Sequence, residues 1–497
     1  MNRNLGSNPI TETSKKELAM QIDEYTKHDA VGLAELIRAG EVSSAEVQDA
    51  AARALDQVEP ALSAIVGERY AQPLDHDADG VFAGVPFAIK DLVIHADGVP
   101  TRNGTRMLGE GVVLGESALM TRFRKAGLAA MATTRTPEFG FNATTEAIAY
   151  GAPTKNPWDT TRSPGGSSGG SAALVAARAL PVAHANDGGG SIRIPASACG
   201  LVGLKPSRGR VTVGPGYGDP LLGLGVEFAL SRSVRDTATM LDAVHGSEPG
   251  ERYLLPEPAL SFSESAKRGA ERKRIAIAWD LLTPGQQMDP QVRAAVEEAA
   301  ALLESMGHIV EIASPQIDHE EWLDASYKLW ATFLADGVQT LSGLLGIEAS
   351  SEVLEHVTLR CVEYGENVTG VDLMRTEGAM NRASRALGEF HTEYDLTLSA
   401  TMMSPTFPLG HFDQNDPALD AQGWFEKLFS GLGTALFNAT GTPGISVPLA
   451  QSAEGWPIGI QLGAAYGDEA TLIALAADLE RARPWADRRP GVLAGGD

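Results

Sequence analysis

The chain has 497 residues, of which 43% are hydrophobic and 21% are charged, a composition typical of a globular enzyme with one large or several smaller domains. Its 64 acidic residues outnumber its 40 basic residues, so a net charge of −24 argues against nucleic acid or an anionic membrane surface as a partner. Two cysteines without a C-x-x-C motif exclude a disulfide framework and a cysteine zinc site, and the ten histidines show no metal-ligand spacing. We therefore expect neither a metal nor a cofactor.

The N-terminal segment is polar and lacks the apolar core of a signal peptide. Because the apolar stretches elsewhere are too short to span a bilayer, we expect a cytoplasmic protein. The sequence predicts a loosely held arm over residues 1–27 and a single domain over residues 28–497. Apolar residues at helical spacing over residues 30–58 predict two helices, with Ser43, Ser44 and Glu46 as the start of the second.

From residue 81 the pattern changes to alternating strands and helices. Residues 85–89 form an apolar run that ends at Lys90, as in a buried strand. Further predicted helices and strands cover residues 117–126, 128–131, 170–179 and 180–185. Strand, glycine loop and helix in alternation predict an α/β fold with its chemistry at the loop ends.

The C-terminal half continues the mixture of helices and strands. Predicted helices cover residues 233–245, 290–306, 320–346 and 422–437, and a last helix begins after Asp468. Predicted strands cover residues 274–279, 309–312, 396–403, 445–449 and 458–463. Residues 248–265 are rich in Pro, Glu and Ser and predict a surface connection. The helices at 320–346 and 422–437 are rich in aromatic residues, most of which we expect in the core and a few in the wall of an apolar pocket.

Two glycine-serine loops lie between Arg162 and Cys199, at residues 165–170 (GGSSGG) and 187–191 (DGGGS). Glycine-rich loops let backbone N–H groups point at a ligand, so a serine there can be a nucleophile beside an anion cradle. The first loop matches G-x-S-x-G. Residues 156–164 before it form a loop, however, and not the apolar strand that precedes the nucleophile of an α/β-hydrolase, which disfavours that fold.

Lys90 is an alternative base for such a serine. It ends an apolar strand between Ile89 and Leu92, and desolvation lowers the pKa of a buried lysine toward neutrality. The residues alone leave a second interpretation open, in which Lys90 only pairs with Asp91 or another acid at the sheet edge.

Several longer motifs resemble those of the amidase signature family of serine hydrolases. They are 84–91 (GVPFAIKD), 136–140 (TPEFG), 156–159 (NPWD), 164–171 (PGGSSGGS), 187–196 (DGGGSIRIPA), 203–206 (GLKP), 442–448 (TPGISVP) and 457–461 (PIGIQ). The resemblance spans most of residues 30–490 and keeps the family's order. It implies an α/β fold with one large mixed β-sheet covered by helices on both faces, in which residues 81–246 form the signature core and residues 247–440 a more variable, pocket-lining region.

The resemblance also implies a Ser–cis-Ser–Lys triad. Ser191 matches the acyl-forming nucleophile, Ser167 the bridging serine after a cis peptide bond, and Lys90 the general base. Residues whose backbone N–H groups match the oxyanion hole are Gly188, Gly189, Gly190 and Ser191. Residues that match the supporting network are Ser168, Asp187 and Arg193. Gly188 stands where relatives often carry Thr, Ile or Ala, and since the hole uses backbone donors, we expect this difference to alter flexibility more than identity.

The implied activity is hydrolysis of a carboxylic amide through an acyl-enzyme, with release of an acid and of an amine or ammonia. Hydrolysis of a carbamate or an ester on the same triad stays open, as does a glutaminase subunit of a tRNA-dependent amidotransferase, although such subunits tend to carry Gln at the position of Ile194. Residues 184–187 (HAND) and 484–490 (PWADRRP) look most like the branch that hydrolyses nylon cyclic dimers. That likeness implies a medium-sized, apolar or aryl amide.

The substrate pocket has no diagnostic motif. Candidate residues in it are Phe139, Asn142, Gly166 and Tyr217, and the glycine- and proline-rich segment 214–230 suits a loop over a pocket. The expected partner is a small-molecule amide. We expect no nucleic-acid or membrane partner, and a homodimer is the candidate assembly.

Overall fold

The computed structural model describes residues 20–281 and 287–496. The helices are α1 (Ile22–Tyr25), α2 (Ala30–Ala39), α3 (Ser44–Leu62), α4 (Ala118–Lys125), α5 (Gly169–Ala176), α6 (Arg193–Cys199), α7 (Val234–Val244), α8 (Phe262–Arg268), α9 (Pro290–Ser305), α10 (His319–Leu345), α11 (His356–Glu366), α12 (Gly370–Phe390), α13 (Ala421–Phe429), α14 (Ala435–Thr440) and α15 (Glu469–Ala482). The strands are β1 (Val85–Lys90), β2 (Pro100–Thr101), β3 (Val112–Val113), β4 (Leu128–Thr134), β5 (Val182–Asp187), β6 (Val202–Lys205), β7 (Val226–Ser231), β8 (Arg274–Ile277), β9 (Ile309–Ile312), β10 (Leu396–Ala400), β11 (Gly444–Gln451) and β12 (Pro457–Ala464).

An eight-stranded mixed sheet forms the centre of the protein, in the order β5-β7-β6-β11-β12-β10-β8-β9. Strands β8 to β10 pair in parallel, and the other neighbours pair antiparallel. Helices α6, α9 and α15 pack on β11 and β12. The predicted α/β fold with a large mixed sheet is confirmed, and the strand–helix–strand unit β8–α9–β9 forms one edge of this sheet.

Strand β1 lies outside the large sheet and pairs in parallel with β4. All of its residues are buried, including Lys90 at its end. It is tied to the edge strand β5 by a side chain, because the Lys90 backbone N–H donates to His184 Nδ1 at 3.2 Å. The end of β1 and the end of β5 therefore come together.

Side-chain caps begin the helices where the sequence predicts them. Ser43 and Glu46 form a capping box at the start of α3, Asp289 accepts from Gln291 N before α9, and Asp468 accepts from Thr471 N before α15. Each cap satisfies a backbone N–H that has no partner inside the helix. These starts are confirmed.

Three segments differ from the sequence-based predictions. Residues 262–265, assigned to a surface connection, begin α8, because the Phe262 side chain is fully buried. Residues 422–437 form two helices, α13 and α14, and not one. The end of segment 214–230 is strand β7, whose six residues are all buried between β5 and β6, so this part is not a loop over a pocket.

Helices α11 and α12 had no counterpart among the predictions, and most of the predicted N-terminal arm, residues 1–19, lies outside the described residues. The described remainder of that arm contains α1. There the Tyr25 hydroxyl is buried and donates to Ala179 O at 2.9 Å, and Arg178 Nη1 donates to Thr26 O at 2.9 Å. These contacts hold residues 20–27 against the rest of the protein.

Candidate active site

Three chain segments bring the predicted triad residues into one buried region. Lys90 ends β1, Ser167 lies in the glycine-serine loop before α5, and Ser191 follows β5 in the loop that leads into α6. Lys90 is completely buried, Ser167 is 1% exposed, and Ser191 is 8% exposed. The peptide bond between Gly166 and Ser167 is cis.

The Lys90 side chain is surrounded by three oxygen atoms. Its Nζ lies 2.6 Å from Ser167 Oγ, 3.0 Å from Ser168 Oγ and 2.5 Å from Asn186 Oδ1. Burial lowers the pKa of Lys90 to about 7, and the nearby Glu227 and Asp187 oppose part of that effect. The second interpretation of the sequence was that Lys90 only pairs with Asp91 or another acid. Among the described residues the contacts of Lys90 Nζ are to two serines and an asparagine, and Asp91 accepts instead from Thr101, Tyr150 and the Arg102 backbone.

Ser191 faces a small cavity. The volume open to the centre of a water molecule inside it is about 30 Å³. Its lining residues are Gly140, Phe141, Asn142, Ala143, Gly189, Ser191, Ile194, Trp330, Leu428, Phe429 and Leu432. Ser167 lies close by, since a Cβ built on Gly140 would be 3.2 Å from Ser167 Oγ. The cavity thus gives a small molecule access to Ser191 beside the Lys90–Ser167 pair.

The loop after β5 carries the predicted oxyanion donors. The backbone N–H groups of Gly189, Gly190 and Ser191 donate no hydrogen bond to any other described residue. Gly190 has a φ of 142°, and a Cβ there would lie 2.3 Å from Thr434 Oγ1, so only glycine fits. Thr434 Oγ1 donates to Gly189 O at 2.6 Å and holds the loop from its carbonyl side. Free N–H groups in such a loop can bind a negatively charged oxygen.

A buried ion pair fixes both ends of this loop. Asp187 Oδ2 accepts from Arg193 Nε, and Asp187 Oδ1 accepts from Arg193 Nη2, each at 3.0 Å. Burial acts to raise the pKa of Asp187, but the charge and hydrogen bonds of Arg193 outweigh it and lower the pKa to about 2. Arg193 also donates to Thr434 O, Gln461 Oε1 and Asn438 Oδ1. Every polar atom of this pair thus has a partner, as a buried ion pair requires.

A second buried pair lies on the other side of Lys90. His184 Nε2 is 2.8 Å from Glu227 Oε2, and both side chains are shielded from solvent. Burial lowers the pKa of His184 well below its usual value, and the charge of Lys90 acts in the same direction. Burial also acts on Glu227, where it raises the pKa well above its usual value.

Aromatic side chains form one side of the cavity, which we call the aromatic wall: Phe141, Trp330 and Phe429. The ring centroids of Phe141 and Trp330 are 5.1 Å apart. A second layer supports the wall, because the Tyr327 ring is 5.4 Å from Phe429 and stacks on Phe425 at 4.7 Å. A few rings of the two aromatic-rich segments therefore line the cavity, while the others pack around them.

Of the predicted pocket residues, Asn142 lines this cavity, and its Nδ2 donates to Phe412 O and Gln414 Oε1. Phe139, Gly166 and Tyr217 are not among the described lining residues of the cavity, and their pocket roles stay predictions. Gly166 is packed against backbone, because a Cβ there would lie 2.2 Å from Thr144 O.

Sequence reasoning missed the side chains that hold the site from a distance. These are His184, Asn186, Glu227, Thr434, Asn438 and Gln461. His184, Asn186 and Gln461 stood inside recognised motifs, where polar residues on strands predicted to be buried were a usable signal. Asn438 and Glu227 gave no such signal, since their partners come from more than 40 residues away.

Within residues 20–281 and 287–496, no group of three or more His, Cys, Asp or Glu side chains has an arrangement that could hold a metal ion. In the same residues, no helix is both long enough and apolar enough to cross a membrane.

Comparisons with known proteins match nearly the whole chain. The family model described as Amidase matches residues 43–473. The 6-aminohexanoate-cyclic-dimer hydrolase of Pseudomonas sp. (strain NK87) is 35% identical over 483 residues, which are 94% of this chain and 97% of that protein. An acylamidase of Rhodococcus erythropolis is 32% identical over 476 residues, covering 93% of this chain and 96% of that protein.

The fold agrees equally well with a solved structure. A 6-aminohexanoate cyclic dimer hydrolase complexed with substrate has a TM-score of 0.87 to this chain at 33% identity. The match covers 94% of this chain and 99% of that one.

Proposed function

This chain belongs to the amidase signature family and is an amidase, and we propose that it hydrolyses its amide through Ser191, Ser167 and Lys90. The observation that carries the proposal is the buried contact of 2.6 Å between Lys90 Nζ and Ser167 Oγ, beside a cavity that Ser191 lines. A base, a bridging hydroxyl and a nucleophile in this order form a path for one proton.

Burial lowers the pKa of Lys90 to about 7, so a neutral amine is available near neutral pH, and the surrounding oxygens can orient its lone pair toward Ser167. A neutral amine has two N–H donors and one lone pair. Asn186 Oδ1 can only accept, and Ser168 Oγ donates its own proton to Asn186 O at 3.3 Å and so also accepts from Lys90. The lone pair then accepts from the Ser167 hydroxyl, which is the direction that a base requires.

In the forward step, Lys90 takes the Ser167 proton while Ser167 takes the Ser191 proton, and Ser191 Oγ forms a bond to the carbonyl carbon of the amide. The carbonyl oxygen becomes negative and is stabilised by the backbone N–H groups of residues 188–191. A single donor of this kind contributes roughly 3–4 kcal/mol to the transition state. Asp187 and Arg193 hold these donors in place before the substrate arrives.

In the second step, the proton on Lys90 returns through Ser167 to the leaving nitrogen, and the C–N bond breaks. The amine or ammonia departs and leaves an acyl group on Ser191. Water then loses a proton through Ser167 to Lys90 and attacks the acyl carbon. The bond between the acyl carbon and Ser191 Oγ breaks, the proton returns through Ser167 to Ser191 Oγ, and the acid leaves.

The substrate we propose is a medium-sized, apolar or aryl amide without a charge near the scissile bond. The support is the cavity lining, in which the described residues are apolar or aromatic apart from Asn142, Ser191 and glycine backbone. A charged group here would lose its water without gaining a counter-charge. The relatives, a 6-aminohexanoate-cyclic-dimer hydrolase and an acylamidase, also act on amides by name.

The test is a hydrolysis panel of aryl anilides, aliphatic amides, carbamates, esters and glutamine with wild-type protein and Ser191→Ala. The matched control is Ser197→Ala, which removes another buried serine hydroxyl on the adjacent helix α6. We expect hydrolysis of the aryl or aliphatic amides by wild type and Ser197→Ala and none by Ser191→Ala, with all three proteins folded by circular dichroism.

Each part of the proposal has its own failing outcome. Full activity of Ser191→Ala contradicts Ser191 as the nucleophile. Cleavage of carbamates or esters with no cleavage of amides contradicts the proposed substrate class. Ammonia release from glutamine alone favours the glutaminase alternative.

A further inference from the structure

Glu227 is a buried carboxylate that the mechanism above leaves without a role. It lies on β7 directly opposite Asn186 of β5, and its side chain is 1% exposed. In the described part of the chain its side chain contacts His184, and no arginine or lysine pairs with it within 4 Å. A buried carboxylate without a cation is costly, so its place so near Lys90 needs a physical reason.

We infer that Glu227 is a positioning residue for this reaction, held by His184 and Asn186 so that its negative charge stabilises the ammonium that forms when Lys90 accepts the proton from Ser167. The inference rests on the proposed role of Lys90 as the base. It assigns no contact between Glu227 and the substrate.

The contacts of His184 define which atom carries its proton. The Lys90 backbone N–H donates to His184 Nδ1 at 3.2 Å, so Nδ1 is the acceptor nitrogen of the ring. Because burial keeps the pKa of His184 well below its usual value, the ring is neutral and its one proton sits on Nε2. That proton points at Glu227 Oε2, 2.8 Å away. His184 therefore joins the Lys90 backbone to the Glu227 carboxylate and supplies a donor to it.

Asn186 makes the second connection, through side chains. Its Oδ1 accepts from Lys90 Nζ at 2.5 Å, and its side chain also makes a hydrogen bond to Glu227. An amide whose N–H₂ faces a carboxylate and whose oxygen faces an amine polarises in the sense that favours a positive charge on that amine. Both neighbours of Glu227 thus act as donors, which suits a carboxylate more than a carboxylic acid.

The charges of Lys90 and Glu227 favour each other. Burial lowers the pKa of Lys90, and Glu227 is the leading influence in the opposite direction. Burial raises the pKa of Glu227 well above its usual value, and Lys90 is the leading influence that opposes this rise, so Glu227 holds its negative charge best when Lys90 is an ammonium. Asp187 on β5 also acts on Lys90, but Arg193 already neutralises it, and His184 is uncharged. Glu227 is therefore the carboxylate available to balance an ammonium at Lys90.

The test measures the acid limb of kcat/KM for an uncharged aryl anilide, which does not itself titrate between pH 5 and 9. In wild type we expect the midpoint of this limb near the Lys90 pKa of about 7. In Glu227→Gln we expect the midpoint to fall by about one pH unit, because loss of a negative neighbour lowers the pKa of an amine, and kcat to fall about tenfold.

The matched control is Glu480→Gln. Glu480 is also mostly buried, and burial raises its pKa to about 7, but it accepts from Val234 N and does not influence Lys90. This variant should keep the acid limb and kcat of wild type. If Glu227→Gln does not fold, His184→Asn places no donor at the position of Nε2, because its side chain is shorter, and it should move the midpoint in the same direction by a smaller amount.

If Glu227 has only a structural role, Glu227→Gln lowers the melting temperature and leaves the acid limb where it is in wild type, and this result would overturn the inference. A midpoint that rises in Glu227→Gln would overturn it as well. The outcome is separable from the proposed function. If Lys90→Ala retains wild-type activity, the proposed base is wrong, and if Lys90→Ala is inactive while Glu227→Gln keeps the wild-type limb, only the role of Glu227 is wrong.

Discussion

The triad region and the aromatic wall meet at one cavity but are built by different forces. The triad region is defined by Lys90, Ser167 and Ser191 with their two glycine-serine loops, and there Lys90 and Asp187 have specific polar partners at 2.5–3.0 Å. In the aromatic wall, rings lie 5.1–5.4 Å apart and touch through apolar surface. The first arrangement tolerates little change, because a lost partner leaves a buried polar group unsatisfied, whereas the second can repack.

This difference separates chemistry from selection of the substrate. In the proposed mechanism, hydrogen bonds with fixed partners determine which proton moves and where the negative oxygen binds. Ring packing determines which acyl group fits beside Ser191. Substitutions in the triad region should therefore reduce kcat for every amide, and substitutions in the wall should change the order of preference among amides.

The largest expected effect is that of Lys90→Ala. Without the base, the Ser167 hydroxyl has no acceptor that leads the Ser191 proton away, so kcat should fall at least about a thousandfold while substrate still binds. Single-turnover hydrolysis of an aryl anilide measures the rate, and binding to Ser191→Ala and Lys90→Ala by calorimetry gives the affinity. The matched control is Lys205→Met, which removes another fully buried lysine that contacts the Pro206 carbonyl.

Retained turnover in Lys90→Ala, or an equal loss in Lys205→Met, would show that buried lysines here act on stability alone. A fall in melting temperature without a fall in kcat would have the same meaning.

A smaller effect is expected from Gly188→Ala, where the two regions touch. A Cβ at Gly188 would lie 2.4 Å from Leu221 Cδ1 and 3.0 Å from Trp330 Cζ2, so the Leu221 side chain must shift and the Trp330 ring must give slightly. We expect kcat/KM for bulky aryl amides to fall about tenfold and for small aliphatic amides to change little, since added bulk in a packed site forces rearrangement. Competition assays with a bulky and a small amide measure the ratio.

The control for Gly188→Ala is a double-mutant cycle with Leu221→Ala, which removes the side-chain atom that the new methyl group would meet first. The double variant should recover much of the loss, because residues in contact show non-additive effects. Strict additivity, or an equal loss for both amides, would mean that Gly188 serves the oxyanion hole and not the fit to the wall.

The triad region was predictable from sequence because its residues occur in continuous motifs. Lys90, Ser167 and Ser191 each sit in a run whose neighbours also carry the pattern, and the structure places Lys90 beside Ser167 as expected. The helix caps at Ser43 and Asp468 were predictable for a similar reason, since a capping side chain and the backbone N–H that donates to it lie within three residues.

The remainder could not be predicted because it depends on contacts between distant parts of the chain. Glu227 meets His184 from 43 residues away, and Asn438 meets Arg193 from 245 residues away. Strand β7 was misassigned to a loop because its glycine-rich approach outweighed the short buried run at its end. Ring packing is also weakly encoded, since an aromatic helix looks alike whether it lines a cavity or fills a core.

The most direct test of the account is to trap an acyl group on the protein. A slowly deacylating aryl carbamate or ester is incubated with wild type, Ser191→Ala and Ser197→Ala, and intact and peptide masses are recorded. The account predicts one acyl group per chain on Ser191 in wild type and Ser197→Ala, and none in Ser191→Ala. An acyl group on any other residue, or hydrolysis of the amide substrate with no acyl-enzyme under any quench, would contradict it.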